Sequence, residues 1–409
     1  MPRNRLALVI LSVPLVFFAV VAITSPKADA RETPAPKPAS AATVAPVAVA
    51  EPHLGPREYD RTRGAWVAPL GASKAVLTLD PRLQEKLERT VADTRAPAAA
   101  VVLIEPRTGK VLALADHARD PGARGMALRA IAPAASVFKI VTSSALLESG
   151  VHPDSEVCFH GGKHRLQPTL LRDDPRRDRR CYSLSEALGK SANVVFAKLA
   201  GRGLTAPALR AEADRFLFNA EIPFAWPVEP SRAEIPDDGF RLAETAAGFG
   251  AVRLSPLHGA LIASVVANGG TFVPPRVVAS VDGGPPPAAL APRRLLSPEV
   301  AAALAQMMET TVTEGTARKV FGRDRRSSRS PLHGVKVAGK TGSLADRDPF
   351  RDYSWFVGFA PVENPQVAVA AVVVNDRLWH VRATQVARES LAAYFDAERG
   401  LPRVRTAEK

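Results

Sequence analysis

Strand-patterned sequence falls into two blocks at opposite ends of the folded region, and that separation decides the architecture. In the first block, Ala98 to Ile104 and Lys110 to Ala115 are apolar runs joined by Glu105-Pro106-Arg107-Thr108-Gly109, a length and composition that predict a β-hairpin. Strand character returns only near Gly334. There Val335 and Val337 alternate toward Lys340, and Ser354 to Ala360 and Val367 to Val374 flank the turn residues Pro361 to Pro365. An isolated hairpin is only marginally stable in water, so each block needs the other. The expected fold is α+β: a five-stranded antiparallel sheet from both chain ends, flanked by helices, with an all-helical lobe from about Ser136 to Asn268 inserted beside it. One flanking helix starts at the cap Asp80-Pro81 and carries Leu83, Leu87 and Val91 on one face, after a short strand from Val76 to Leu79. The other runs from about Arg382 to Phe395. A cleft between sheet and lobe is a natural place for a site.

The residues before this region set the compartment. Leu6 to Thr24 is an almost unbroken apolar run which, as a helix, spans roughly 28 Å, close to a bilayer's hydrocarbon thickness. Arg3 and Arg5 precede it, which orients the remainder of the chain away from the cytoplasm. Residues 1–24 are therefore a membrane anchor or, because Ala28-Asp29-Ala30 offers a small-x-small site, a cleavable signal segment. Both readings exclude nucleic acid as the partner of a chain with net charge +13, and leave anionic lipid or wall polymer. Residues 25–74 read as a tether rich in Pro and Ala, 75–397 as the folded domain and 398–409 as a tail. Cys158 and Cys181 sit where disulfides persist, and a bridge between them is worth about 3 kcal/mol in the chain-entropy view. The alternative is two separately buried thiols.

Three short motifs carry the chemistry. Ser136-Val137-Phe138-Lys139 opens a helix, and an offset of three puts Ser136 and Lys139 on one face. A serine hydroxyl needs a neighbouring base, and a lysine serves as one only when burial or a nearby cation lowers its pKa. Ser191-Ala192-Asn193 precedes an apolar helical stretch, and Lys340-Thr341-Gly342-Ser343 ends a strand. A strand-end lysine with adjacent hydroxyls, and a glycine that admits a ligand to the backbone, suits a carboxylate. Each motif alone is weak, being equally at home in an ordinary helix start, helix cap or charged strand end.

In this order and at these distances the three together resemble the penicillin-recognising serine transferases and hydrolases, and more closely the transpeptidase domain of penicillin-binding proteins. Leu77-Thr78-Leu79-Asp80, the Glu105–Gly109 turn, Ala267-Asn268-Gly269-Gly270, Gly315-Thr316-Ala317 and Trp355 to Pro361 extend the similarity over roughly Ala75 to Phe395. The resemblance implies that Ser136 attacks the penultimate D-alanine carbonyl of a peptidoglycan stem peptide, with Lys139 as base. It implies that Ser191 relays a proton to the leaving amine and that Asn193 binds the substrate amide and positions Lys139. Lys340, Thr341 and Ser343 would hold the substrate carboxylate beside Gly342, and the backbone N–H groups of Ser136 and Ser343 would form the oxyanion hole. β-Lactams, which imitate the D-alanyl-D-alanine end, would acylate the same serine.

The implied protein works on the outer face of a bacterial cytoplasmic membrane, beside wall-synthesis proteins, without metal or cofactor. Neither the glycosyltransferase domain nor the large N-terminal pedestal of longer relatives is expected. A D,D-carboxypeptidase or β-lactamase would use the same residues, and a non-catalytic β-lactam sensor or wall-synthesis partner is the reading from another class. His160 and His164 flank Gly161-Gly162 without a ligand pattern and read as loop residues. Arg172 to Arg180 and Arg323 to Arg329, with their interspersed aspartates, read as solvated loops.

Overall fold

The computed structural model describes residues 53–377 and 381–400. The Leu6–Thr24 run, the first half of the expected tether and the residues beyond Gly400 lie outside the described residues. Among the described residues no helix is long and apolar enough to cross a membrane.

Along the chain, strands β1 (Glu58–Asp60), β2 (Ala65–Leu70) and β3 (Ser73–Leu77) precede helix α1 (Pro81–Asp93), whose cap Asp80 accepts from the N–H groups of Arg82 and Leu83. Strands β4 (Ala98–Ile104) and β5 (Val111–Ala118) follow. The lobe contains α2 (Lys139–Glu148), the paired strands β6 (Glu156–Phe159) and β7 (Arg180–Ser183), α3 (Leu184–Gly189), α4 (Asn193–Gly203), α5 (Ala206–Arg215), α6 (Gly239–Ala246) and α7 (Pro256–Ala267). After β8 (Val278–Val281), α8 (Pro298–Thr313) and α9 (Arg318–Arg326), the chain returns to the sheet as β9 (Ala338–Arg347), β10 (Phe350–Ala360) and β11 (Val367–Asn375). Helix α10 (Ala383–Gly400) ends the described chain.

The central sheet has five antiparallel strands in the order β9-β10-β11-β4-β5, so the two distant blocks meet where β11 pairs with β4, for example at Ala371 opposite Val101. Period-two alternation splits β4 between two cores. Ala99, Val101 and Leu103 face Leu83, Leu87 and Val91 of α1 and Ala387 and Leu391 of α10. Ala98, Ala100, Val102 and Ile104 face the lobe with Leu257 and Leu261 of α7. Burial on both faces explains why β4 and β11 read as unbroken apolar runs. α7 comes close to the sheet because Gly259 has no side chain: a Cβ there would lie 3.2 Å from Ala370 and Val357.

Two boundaries differ from expectation. Residues 58–74 are not part of a tether: β1, β2 and β3 form a second sheet closed by β8, and Leu54, Val67, Ala68 and Ala75 are buried. The charged run Arg57 to Arg63 followed by Pro69 and Gly71 hides this sheet, whose closing strand arrives only after the whole lobe. At the other end α10 continues through Gly400, so residues 398–400 are helical. The lobe is mainly helical and also carries the β6–β7 hairpin. The 323–329 segment, read as a loop, begins in α9, where Asp324 is buried and accepts from Arg388.

Candidate active site

The site lies where the start of α2, the start of α4 and the edge strand β9 converge. Ser136 sits in a 3-10 turn, Ala135–Phe138, that runs directly into α2. The turn is held from two sides: Trp355 Nε1 of β10 donates to Pro133 O at 2.8 Å, and Ala134 N–H donates to Val252 O at 2.9 Å. Ala135 has φ +49° and Ser191 φ +51°. A non-glycine residue in the left-handed region costs of order 1–3 kcal/mol and persists where its surroundings over-determine it, typically at functional sites. Here one such residue adjoins Ser136 and the other is Ser191 itself.

Lys139 is fully buried, and its Nζ donates to Ser136 Oγ at 2.9 Å, Asn193 Oδ1 at 2.7 Å and Ala247 O at 2.6 Å. An ammonium has three N–H bonds for these three acceptors. A neutral amine has two and a lone pair, and of the three neighbours only Ser136 has a proton to give to it. Burial is the main cause holding the Lys139 pKa well below its ordinary value, and the nearby Lys340 charge acts in the same direction. Geometry and electrostatics together give a lysine able to accept the proton of the adjacent serine hydroxyl.

Lys340, also fully buried, donates to Ser191 Oγ at 2.9 Å and to Thr341 O at 2.7 Å, and burial lowers its pKa to about 7. Thr341 Oγ1 lies 2.5 Å from Thr316 Oγ1, while Ser343 is exposed on β9. Gly342 lets β9 lie against the Ser136 turn: a Cβ there would stand 3.3 Å from Ala134 O and from Val137 Cγ2. Because β9 is an edge strand, part of its backbone faces the cleft instead of a partner strand.

Ser136, Lys139 and Asn193 thus form one hydrogen-bonded group and Ser191 and Lys340 a second, with the Lys340 charge acting on Lys139 and with Thr341, Gly342 and Ser343 following Lys340 on β9. Sequence reasoning missed the Ala247 carbonyl on Lys139 and the role of Gly248, whose φ is +90° and whose Cβ would fall 2.5 Å from Ala135 O. The Gly248-Phe249-Gly250 sequence after an apolar helix was the available signal. Thr316 and Trp355 lay in stretches noted for their similarity, without a role attached.

Cys158 and Cys181 are joined by a disulfide across β6 and β7. His160 Nδ1 lies 2.5 Å from Asp178 Oδ1, and the backbone oxygen of His164 accepts from Asn193 Nδ2 at 2.9 Å. The segment around Arg172 to Arg180 is not simply solvated, since Asp173 and Asp178 bind the buried Lys198 at 3.1 and 2.8 Å. Among the described residues no group of three or more His, Cys, Asp or Glu is arranged to hold a metal.

The chain is similar to peptidoglycan D,D-transpeptidase PbpA of Mycobacterium tuberculosis, with 32% identity over 324 residues, and spans 68% of its own length but only 62% of that relative's. The structure resembles penicillin-binding protein A from M. tuberculosis in its penicillin G acyl-enzyme complex, with a TM-score of 0.63, 27% identity and 81% of each chain covered. It also resembles Pseudomonas aeruginosa PBP2 in complex with WCK 5153, with a TM-score of 0.67, 27% identity and 83% of each chain covered. Residues 99–393, which hold the whole cluster from Ser136 to Ser343, match the penicillin binding protein transpeptidase domain, and the chain belongs to that family.

Proposed function

We propose that the chain is a peptidoglycan D,D-transpeptidase acting through an acyl-enzyme on Ser136. The observation that carries this reading is the contact between Ser136 Oγ and the buried, pKa-depressed Lys139 Nζ at 2.9 Å. Lys139 takes the hydroxyl proton as Ser136 attacks the carbonyl of the penultimate D-alanine. Backbone N–H groups of Ser136 and Ser343 receive the developing oxyanion, where one donor is typically worth about 3 kcal/mol of barrier. The C–N bond breaks, and a proton reaches the leaving D-alanine amine through Ser191, which Lys340 holds in place. An amine of a neighbouring stem peptide then attacks the ester, cross-linking the two and regenerating Ser136.

Lys340, Thr341 and Ser343 would bind the terminal carboxylate, and a carboxylate beside Lys340 would keep that lysine charged. A β-lactam acylates Ser136 by opening its ring, and the penicillin G acyl-enzyme of the related M. tuberculosis protein supports this. The apolar Leu6–Thr24 run and the Cys158–Cys181 bridge support placement on the outer face of the cytoplasmic membrane, which protease accessibility in spheroplasts tests.

The deciding experiment is incubation with a fluorescent penicillin, followed by denaturing electrophoresis and intact mass over time. A stable adduct on Ser136, lost in a folded Ser136→Ala variant, is expected. Rapid drug turnover with little adduct would indicate a β-lactamase, and labelling that survives Ser136→Ala would remove the assignment. With a stem-peptide substrate, release of D-alanine without cross-linked product would indicate a carboxypeptidase.

A further inference from the structure

Asn193 is the first residue of α4, and Ala192 before it offers no side-chain cap. The segment between β6 and β7 supplies the missing acceptors. Val194 N–H donates to Lys163 O at 3.2 Å, and Asn193 Nδ2 donates to His164 O at 2.9 Å. The second bond selects one face of the amide: with Nδ2 committed to His164 O, Oδ1 is left for Lys139 Nζ at 2.7 Å. A flipped amide would set N–H groups against the lysine instead.

The same segment is fastened to α4 a second time. Lys198 Nζ, with its side chain fully buried, donates to Cys158 O at 2.9 Å, Asp178 Oδ2 at 2.8 Å and Asp173 Oδ1 at 3.1 Å. Asp178 also accepts from Asp174 N–H at 3.0 Å through Oδ2, and its Oδ1 faces His160 Nδ1 at 2.5 Å. The disulfide closes the base of the segment. Between the two cysteines only Phe159 and Leu170 are buried apolar residues, so polar contacts hold most of this loop in place. A loop with few apolar contacts opens easily once such contacts are removed.

We infer that the disulfide-closed segment Phe159–Arg180 is a positioning element for Asn193, locked onto α4 by Asp178 and Lys198. It touches no reacting atom. It fixes the Asn193 amide, which in turn holds Lys139 against Ser136, and the inference rests on the acyl-transfer reading of that site.

The test is stopped-flow acylation of the full chain by benzylpenicillin, separating the acylation rate at saturation from the concentration giving half saturation. Asp178→Ala is expected to lower the saturating rate by about ten- to a hundredfold, since small misplacements of catalytic groups cost that much. The half-saturating concentration should change less than about twofold, and Asp178→Glu should recover part of the rate. In an Asn193→Ala background the same Asp178→Ala substitution should change the rate less than about twofold, because both act through one contact. If Asp178→Ala does not fold, mild reduction of the folded chain and the Cys158→Ser, Cys181→Ser double variant apply the same test at the disulfide. Parental rates in these variants, or a full loss that persists without Asn193, would overturn the inference alone. A parent that never acylates would instead overturn the acyl-transfer reading and this inference with it.

Discussion

Two fully buried lysines in one site are an unfavourable arrangement for stability and, on the acyl-transfer reading, a useful one for catalysis. Each loses hydration, and the Lys340 charge further discourages a charge on Lys139. The effect on stability has a definite sign. The folded-state pKa of Lys340 is about 7 against an ordinary 10.5, so between those values the unfolded chain binds more protons and stability rises with pH. Below pH 7 the full cost of burying the ammonium is present. Lys340→Met, similar in volume, should remove this contribution. The gain in Tm over the parent is expected to be largest near pH 6 and to shrink as pH climbs from 7 toward 10. A gain independent of pH would argue that Lys340 is not the group responsible. The same variant removes the cation that depresses Lys139, so the acid limb of its saturating acylation rate should move to higher pH. Unfolding scans and rate measurements on one preparation check both.

Among the elements, the Ser136 turn is shaped by what packs on it. Gly248 follows the carbonyl that holds Lys139 and has φ +90°, and a Cβ there would meet Ala135 O at 2.5 Å and Ser136 Cα at 2.9 Å. Gly248→Ala should therefore cost about 1–3 kcal/mol of stability and reduce acylation as Ser136 is displaced. Thermal unfolding with penicillin labelling reads both; a parental Tm would show that the turn can yield. Neither contact was legible in the sequence, since a backbone carbonyl such as that of Ala247 has no side-chain signature and Gly248 declares only a turn. The serine and lysine positions were legible because three motifs stand in a fixed order. Strands buried on both faces, such as β4 and β11, were legible too. The extent of β9 was not: it was expected to run to Lys340 but spans Ala338–Arg347, because its far half, Leu344 to Arg347, pairs with β10 while exposing mainly polar side chains.

At the scale of the whole molecule, the residues just before α1 tie together parts that the central sheet does not. Leu54 N–H donates to Ala225 O at 2.9 Å and Trp226 Nε1 to Gly55 O at 3.1 Å, linking this stretch to the lobe, while Arg57 pairs with Glu88 of α1 at 3.1 Å. β3 pairs with β8, the strand after the lobe, so the chain returning from the lobe passes through this small sheet. Sequence patterning put the start of the domain near Ala75, which would cut β3 and discard Leu54, Val67 and Ala68 from the core. Burial of a side chain the size of leucine or valine contributes about 1.5–3 kcal/mol, an upper figure because unfolded chains are partly compact. A chain beginning at Ala75 should therefore unfold several degrees below one beginning at His53, with earlier loss of the Trp226 environment. Penicillin labelling should survive at low temperature, since the catalytic cluster takes no residue from before Ala75. Equal Tm values for the two chains would mean that the second sheet is an attachment to the fold; a lower Tm with labelling retained would make it part of the fold's frame and separate from its chemistry.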